Sequence, residues 1–257
     1  MSNKIALVTG VSRKSGIGYA ICLKLLAGGY FVHAAFNSEN ECEEEFTEKF
    51  PRKFKMHQAD FTERDKLMKF ISEMKNESFN LIVNNAGAFP DDEDYSNYDM
   101  SIWDAVFAVN VTAPFAISTG LFNSILKNGV IINIASTDGF KGSFSSMSYA
   151  ASKAALVNVT QSLAINFGYS DKQIRVISIA PGWVKTDVEM IPEVSWKVAP
   201  QMTPLERFAE PDEIAEFVSF LSSNKAAFIT GSTHIIDGGL NCVDYTFMRE
   251  SGKNIKD

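Results

Sequence analysis

Lys4-Ile5-Ala6-Leu7-Val8-Thr9-Gly10-Val11-Ser12-Arg13-Lys14-Ser15-Gly16-Ile17-Gly18 is the stretch that decides the fold of this chain. It opens as an apolar run of strand length. After Gly16 the period changes, because Ile17, Ala20, Ile21, Lys24, Leu25 and Gly28 recur at helical spacing. The glycines therefore fall at a strand-to-helix turn, where backbone N–H groups and the helix dipole can face a pyrophosphate. Glycine-rich loops often need positive φ for steric reasons alone, so the turn gains its weight from its place in a first β-α-β unit.

Working outward, apolar runs of strand length lie at residues 5–8, 31–36, 81–83, 130–135, 176–180 and 234–236, with helical stretches between them. That alternation predicts an α/β fold. The chain has 257 residues, 46% of them apolar and 21% charged, enough for one large domain with a covered sheet. Residues 1–241 read as that domain, with a lid at about 186–210 and a polar tail at 242–257, and no segment repeats.

A second constellation carries chemistry. Tyr149 and Lys153 stand one helical turn apart, and Ser136 lies thirteen residues before Tyr149 at the end of an apolar run. An ammonium held about 4 Å from a phenol gains roughly 4 kcal/mol at an effective dielectric near 20. The pairing is therefore expected to lower the Tyr149 pKa and let the phenol exchange protons. The Ser136 hydroxyl would polarise a substrate carbonyl rather than attack it. Taken alone, a Tyr-x-x-x-Lys pair is common on solvated helices.

With these motifs together, the chain resembles the short-chain dehydrogenase/reductase family over about residues 4–240, including its β-ketoacyl carrier-protein reductases. The family's Asn-Asn-Ala-Gly stands as Asn84, Asn85, Ala86 and Gly87, and its Pro-Gly-x-x-x-Thr as residues 181–186. The resemblance implies a Rossmann-like, doubly wound parallel sheet of about seven strands in the order 3-2-1-4-5-6-7, with helices on both faces. It implies Ser136, Tyr149, Lys153 and Asn110 as the catalytic set. Tyr149 is then the general acid, Lys153 the holder of the nicotinamide ribose, and the Asn110 backbone the support of a relay water. It also implies that the nicotinamide cofactor lies along Gly10, Ser12, Arg13, Lys14, Gly16, Ile17 and Gly18. From there it passes Asp60 and Phe61 at the adenine, Asn85, Ala86 and Gly87, and finally Pro181, Gly182, Val184 and Thr186. Each piece has a plainer reading: a turn at Asn84-Asn85, a helix cap at Asp60, a strand exit at Pro181-Gly182.

The strand at residues 30–36 is followed by Asn37, Ser38 and Glu39, with no immediate aspartate to bind the ribose 2′-OH. With Arg13 and Lys14 nearby, this favours NADPH/NADP+, while Glu39 leaves NADH/NAD+ open. The turn between Gly10 and Gly16 is two residues longer than the commonest family pattern, which leaves the direction of Arg13 and Lys14 undecided.

A net charge of −7 without long basic clusters speaks against nucleic acid and anionic membranes as partners. No targeting signal and no apolar run near 18 residues is evident, so the expected location is cytoplasmic. Cys22, Cys42 and Cys242 read as reduced thiols, with Cys22 in core packing, and His33, His57 and His234 as core or edge histidines rather than metal ligands. The acidic run at residues 91–94 reads as a solvated loop.

The substrate is expected to be a small carbonyl or alcohol compound, either free or carrier-linked. Val188, Met190, Ile191, Val194, Trp196, Val198 and Met202 would form an apolar lid, with Phe89, Phe140, Met147 and Trp183 lining the same cavity. Docking of an acidic carrier protein would need a basic patch beside the cleft, and the segments before the fifth and sixth strands offer only Lys127, Lys172 and Arg175, which weakens the carrier-linked reading. An NADPH-dependent carbonyl reductase is the leading expectation. The alternatives are an NAD(P)-dependent dehydrogenase of a sugar, steroid or biosynthetic alcohol, and a non-enzymatic nucleotide-binding or scaffold protein. A homotetramer or homodimer is expected through the helix bearing Tyr149, at Ala154, Ala155, Val159, Leu163 and Phe167, and through the last strand.

Overall fold

Successive side chains of the apolar runs enter opposite layers, as the two-residue period of a strand demands. In the computed structural model, residues 4–38, 40–89, 94–186 and 193–243 are described, with backbone only for 193–196. Strands β1 (Lys4–Thr9), β2 (Tyr30–Phe36), β3 (Phe54–Gln58), β4 (Phe79–Asn84), β5 (Ile125–Ile134), β6 (Arg175–Pro181) and β7 (Thr233–Ile236) form one sheet of seven strands. Every pairing is parallel and the order is β3-β2-β1-β4-β5-β6-β7. Ala6, Val8, Leu81, Val83, Ile132 and Ile177 bury on one face against α1 (Ile17–Ala27), α2 (Glu43–Lys49) and α8 (Pro211–Leu221). Leu7, Ile82, Ile131 and Val176 bury on the other, against α3 (Arg64–Met74), α5 (Ala113–Gly120) and α6 (Met147–Gly168). Burial on both faces explains why these strands read as continuous apolar runs.

β3 was not among the apolar runs. It is an edge strand, and only His57 of its five residues is buried. A second departure concerns α4 (Met100–Phe107), a π-helical segment (Ala108–Thr112) and α5, which continue without a break from Met100 to Gly120. This 21-residue stretch is long and apolar enough to cross a membrane by length and composition, contrary to the sequence reading. Asp104 and Asn110 break its apolar pattern in sequence but not its helix, and Ala113 and Ile117 pack it into the second layer. Leu163 and Phe167 of α6 also belong to that layer, so they are core residues and not the subunit-contact positions expected of them.

Two of the three basic residues considered for carrier docking are used inside the fold. The Lys172 ammonium donates to the carbonyls of Phe122 (3.0 Å), Asn123 (2.7 Å) and Ile125 (2.5 Å). Arg175 donates to Ile229 O and Leu221 O. Lys127 is exposed near the amino end of β5, away from the strand ends where the cleft lies.

His33 and His57 form a buried pair between β2 and β3, with Nδ1 of the first 3.0 Å from Nε2 of the second. Burial lowers both pKa values to about 4, with Lys55 adding to the effect on His33 and with His33 and then Lys55 adding to that on His57. The unfolded chain takes up these protons first, near pH 6.5, so the stabilisation is complete above that pH and is lost as pH falls towards 4. Each proton contributes at most about 1.4 kcal/mol per pH unit. The double variant His33→Phe/His57→Phe is expected to flatten the decline of Tm between pH 6.5 and 4. A decline parallel to wild type would show that other groups govern acid lability.

Cys22 and Cys42 are buried and Cys242 is exposed, all as free thiols. Of the acidic run, residues 91–93 lie outside the described residues; Asp94 accepts from Ser96 N at 2.9 Å and Ser96 Oγ at 2.6 Å.

Candidate active site

At the carboxyl ends of the strands, the β1–α1 turn is seated on the end of β4. The Asn85 side-chain amide donates to Thr9 O (2.9 Å) and Gly10 O (3.1 Å), while Thr9 Oγ1 accepts from Asn85 N and Ala86 N. The fit admits no side chain at two points. A Cβ on Gly10, whose φ is +76°, would stand 2.7 Å from Ala86 Cα, and one on Gly18 would stand 2.3 Å from Gly10 O. Gly16 offers α1 no side-chain cap, and Gly10, Ser12, Arg13, Gly16 and Ile17 line a cleft of about 690 Å³. An uncapped helix start at the floor of a cleft suits an anionic group.

Lys14 points elsewhere. Its ammonium lies 3.4 Å from Glu45 of α2, and the turn is further tied to the segment leading into α2 by Glu41 N donating to Ser12 O at 3.0 Å. Lys14 lines neither the cleft nor an adjoining cavity of about 460 Å³ that Arg13 shares with Asn37, Asp60, Phe61, Ala86 and Gly87. Asn37 and Ser38 are exposed beyond β2. Glu39 lies outside the described residues. Asp60 Oδ1 accepts from Thr62 N (2.9 Å) and Thr62 Oγ1 (2.7 Å); it closes a turn ahead of α3, whose cap position is Glu63, so it is not the helix cap, and it lines the cavity.

Ser136, Tyr149 and Lys153 meet on the wall of the cleft. Ser136 Oγ accepts from Asp138 N at 3.1 Å and shares a side-chain hydrogen bond with the Tyr149 hydroxyl. The Lys153 ammonium, 3% exposed, donates to Ile134 O at 2.9 Å and lies 5.4 Å from the centre of the Tyr149 ring. This corrects the expected electrostatics. The ammonium is held by a carbonyl, and the phenol, half-buried by area yet closely ringed by protein, has its pKa pushed up to about 12 by burial. The Ser136 hydrogen bond works against that rise and the Asp138 carboxylate adds to it. Burial brings Lys153 down to about 8.

Asn110 sits in the π-helical segment, fully buried, with Oδ1 accepting from Ala88 N (2.7 Å) and Nδ2 donating to Ala88 O (2.9 Å) and Ser152 Oγ (2.9 Å). Its side chain thereby joins the loop after β4 to α6. A buried polar chain makes a parallel link: Asn84 Nδ2 donates to Asn133 Oδ1 (2.8 Å), and Asn133 Nδ2 donates to Thr160 Oγ1 (2.8 Å). Thr160 and Lys153 lie on one face of α6, and they grip Asn133 and Ile134, consecutive residues of β5.

Pro181, Gly182, Val184 and Thr186 line the cleft as expected, and so do Phe89 and Trp183. The Phe89 ring meets Tyr149 edge-on at 4.8 Å. Phe140 and Met147 do not line it, whereas Phe144 and Leu240 do. Phe144 was hidden in the spacer between Ser136 and Tyr149. Leu240 lies in the turn that Asp237 makes, its carboxylate accepting from Gly239 N (2.8 Å) and Asn241 N (2.7 Å), and no local sequence signal told that this turn faces the cleft. Of the proposed lid, Val188, Met190, Ile191 and the side chains of Val194 and Trp196 lie outside the described residues. Val198 and Met202, in α7 (Glu193–Met202), do not line the cleft.

The sequence model of the family described as enoyl-(acyl carrier protein) reductase matches residues 10–241. Nodulation protein G of Azospirillum brasilense is 34% identical, covering 94% of this chain and 99% of its own. A 3-oxoacyl-[acyl-carrier-protein] reductase of Thermotoga maritima is 32% identical over 93% and 98% of the two chains. Among solved structures, 4-hydroxyisoleucine dehydrogenase complexed with NADH superposes with a TM-score of 0.84 at 28% identity, over 94% of this chain and all of the other. The glycine turn, the strand order and these relatives agree: the chain belongs to the short-chain dehydrogenase/reductase family and is an NAD(P)-dependent oxidoreductase acting between CH–OH and C=O groups.

Proposed function

We propose that the protein is an NADPH-dependent carbonyl reductase, with residues 1–241 as one nucleotide-binding and catalytic unit. The observation that carries this reading is the meeting of Ser136, Tyr149 and Lys153 in a cleft that also holds the uncapped start of α1. The residues fit the cofactor, since Gly10, Ser12, Gly16 and Ile17 line the cleft at a helix start that has no side-chain cap. The turn would hold the pyrophosphate, with Arg13, Asn37, Ser38, Asp60 and Phe61 at the adenosine and residues 85–87 and 181–186 at the nicotinamide. When bound, the nicotinamide supplies hydride to the carbonyl carbon. Ser136 donates its hydroxyl proton to the carbonyl oxygen as a hydrogen bond, while its oxygen accepts from Asp138 N. Tyr149, neutral at pH 7, delivers the proton. Lys153, held at Ile134 O, would fix the ribose, and the Asn110 backbone would support the water through which the Tyr149 phenolate regains its proton.

NADPH is favoured by the neutral Asn37 and Ser38 and by Arg13, without help from Lys14. The expected result is a KM for NADPH well below that for NADH, with Asn37→Asp shifting preference roughly tenfold or more towards NADH through repulsion of the 2′-phosphate. Steady-state kinetics with both cofactors checks it; an unchanged ratio would remove Asn37 from selection. Oxidation of NADPH on a panel of ketones, with and without carrier-linked thioesters, tests the activity itself. The oxidative direction is the second reading, supported by the relative named as a dehydrogenase with NADH. A cytoplasmic homotetramer or homodimer is the assembly proposed, supported by exposed Ile165 on α6, Tyr169 just past its end and Ile235 on β7.

A further inference from the structure

The segment that follows the candidate catalytic serine makes one wall of the cleft, and that wall is polar. Thr137, Asp138, Lys141, Ser143 and Ser145 all line it beside Ser136. Four charged residues line the cleft among those described: Arg13, Lys141, Lys153 and Asp138. Three of the four are cations, in a chain of net charge −7. Arg13 belongs to the glycine turn and Lys153 is fastened under Tyr149, so the cofactor half accounts for both.

Lys141 and Asp138 remain on the substrate side. Their charged atoms are 3.6 Å apart and their side chains 44% and 34% exposed, a contact too long to be a hydrogen bond. Each therefore keeps hydrogen-bonding capacity to offer. A long acyl chain laid along this wall would strip water from a cation, a carboxylate and several hydroxyls and return no hydrogen bonds. A compound bearing a carboxylate and hydroxyls would satisfy them, the carboxylate at Lys141 and the hydroxyls at Asp138 and the serines.

We propose that the substrate is a small hydroxylated carbonyl acid, with its carboxylate bound by Lys141, its hydroxyls by Asp138 and Ser143, and its reacting carbonyl between Ser136 and Tyr149. The proposal rests on the carbonyl-reductase reading. Aromatic contact from Phe89, Phe144 and Trp183 is left to the carbon skeleton.

The test compares a six-carbon keto-aldonate, the neutral ketose of equal length and a 3-oxohexanoyl N-acetylcysteamine thioester, using protein loaded with NADPH or NADH. The keto-aldonate is expected to have the highest kcat/KM. Lys141→Gln should lower the acid-to-ketose ratio of kcat/KM by roughly tenfold, the size of one charge-assisted contact, while the distant Lys127→Gln should leave it as in wild type. Preference for the thioester, or a ratio unmoved by Lys141→Gln, would overturn the proposal. Turnover of none of the three would instead count against the reductase reading, and calorimetry then decides the substrate class. Gluconate binding that weakens about tenfold in Lys141→Gln supports it, and absent or unaltered binding refutes it.

Discussion

Tyr149→Phe is expected to bind NADPH as wild type does and to lose turnover by roughly 10²–10⁴-fold, the range for removal of a positioned proton donor. The variant keeps the ring that packs edge-on against Phe89 at 4.8 Å and deletes only the hydroxyl shared with Ser136, so stability should hardly change. With the Tyr149 pKa pushed up to about 12, the phenol is protonated throughout the neutral range, and the reductive rate should not depend on its titration there. It should fall above about pH 8, where Lys153 loses its proton. The oxidative rate needs the phenolate and should climb with pH. Turnover near wild type in Tyr149→Phe, measured alongside fluorescence binding of NADPH, would end the assignment.

The second large effect is structural. In Gly18→Ala the added methyl would stand 2.3 Å from Gly10 O and 2.7 Å from the Asn85 amide nitrogen, both parts of the seat that holds the turn on β4. Neither can withdraw cheaply, since one is backbone and the other bonds two carbonyls. Overpacking of this kind costs about 1–3 kcal/mol. Thermal unfolding should show that loss, and displacement of the turn should weaken NADPH binding roughly tenfold to hundredfold. Normal binding together with normal Tm would mean that the seat yields.

What could be read from sequence was local. The strand, turn and helix of residues 4–18 sit side by side in the chain, and the spacing of Tyr149 and Lys153 fixes a shared helix face. Spacing does not say which atom an ammonium will choose, and Lys153 takes Ile134 O, nineteen residues away, so the expected acidification of the phenol fails. Lys14 likewise goes to Glu45 and Lys172 to three carbonyls near Phe122, contacts created only when distant elements meet. β3 escaped because an edge strand buries little and carries no apolar run. The polar wall at residues 137–145 was present in sequence, but nothing local told whether it faced water or cleft.

The double grip of α6 on β5, through Thr160 and Lys153, has a consequence for how this scaffold tolerates change. Proton donor and sheet are fastened from beneath, independently of the surface segments that meet the substrate. Those segments can be exchanged, by drift or by design, to admit a different molecule without re-aiming the phenol. Repertoire and reactivity are thereby separable in this chain.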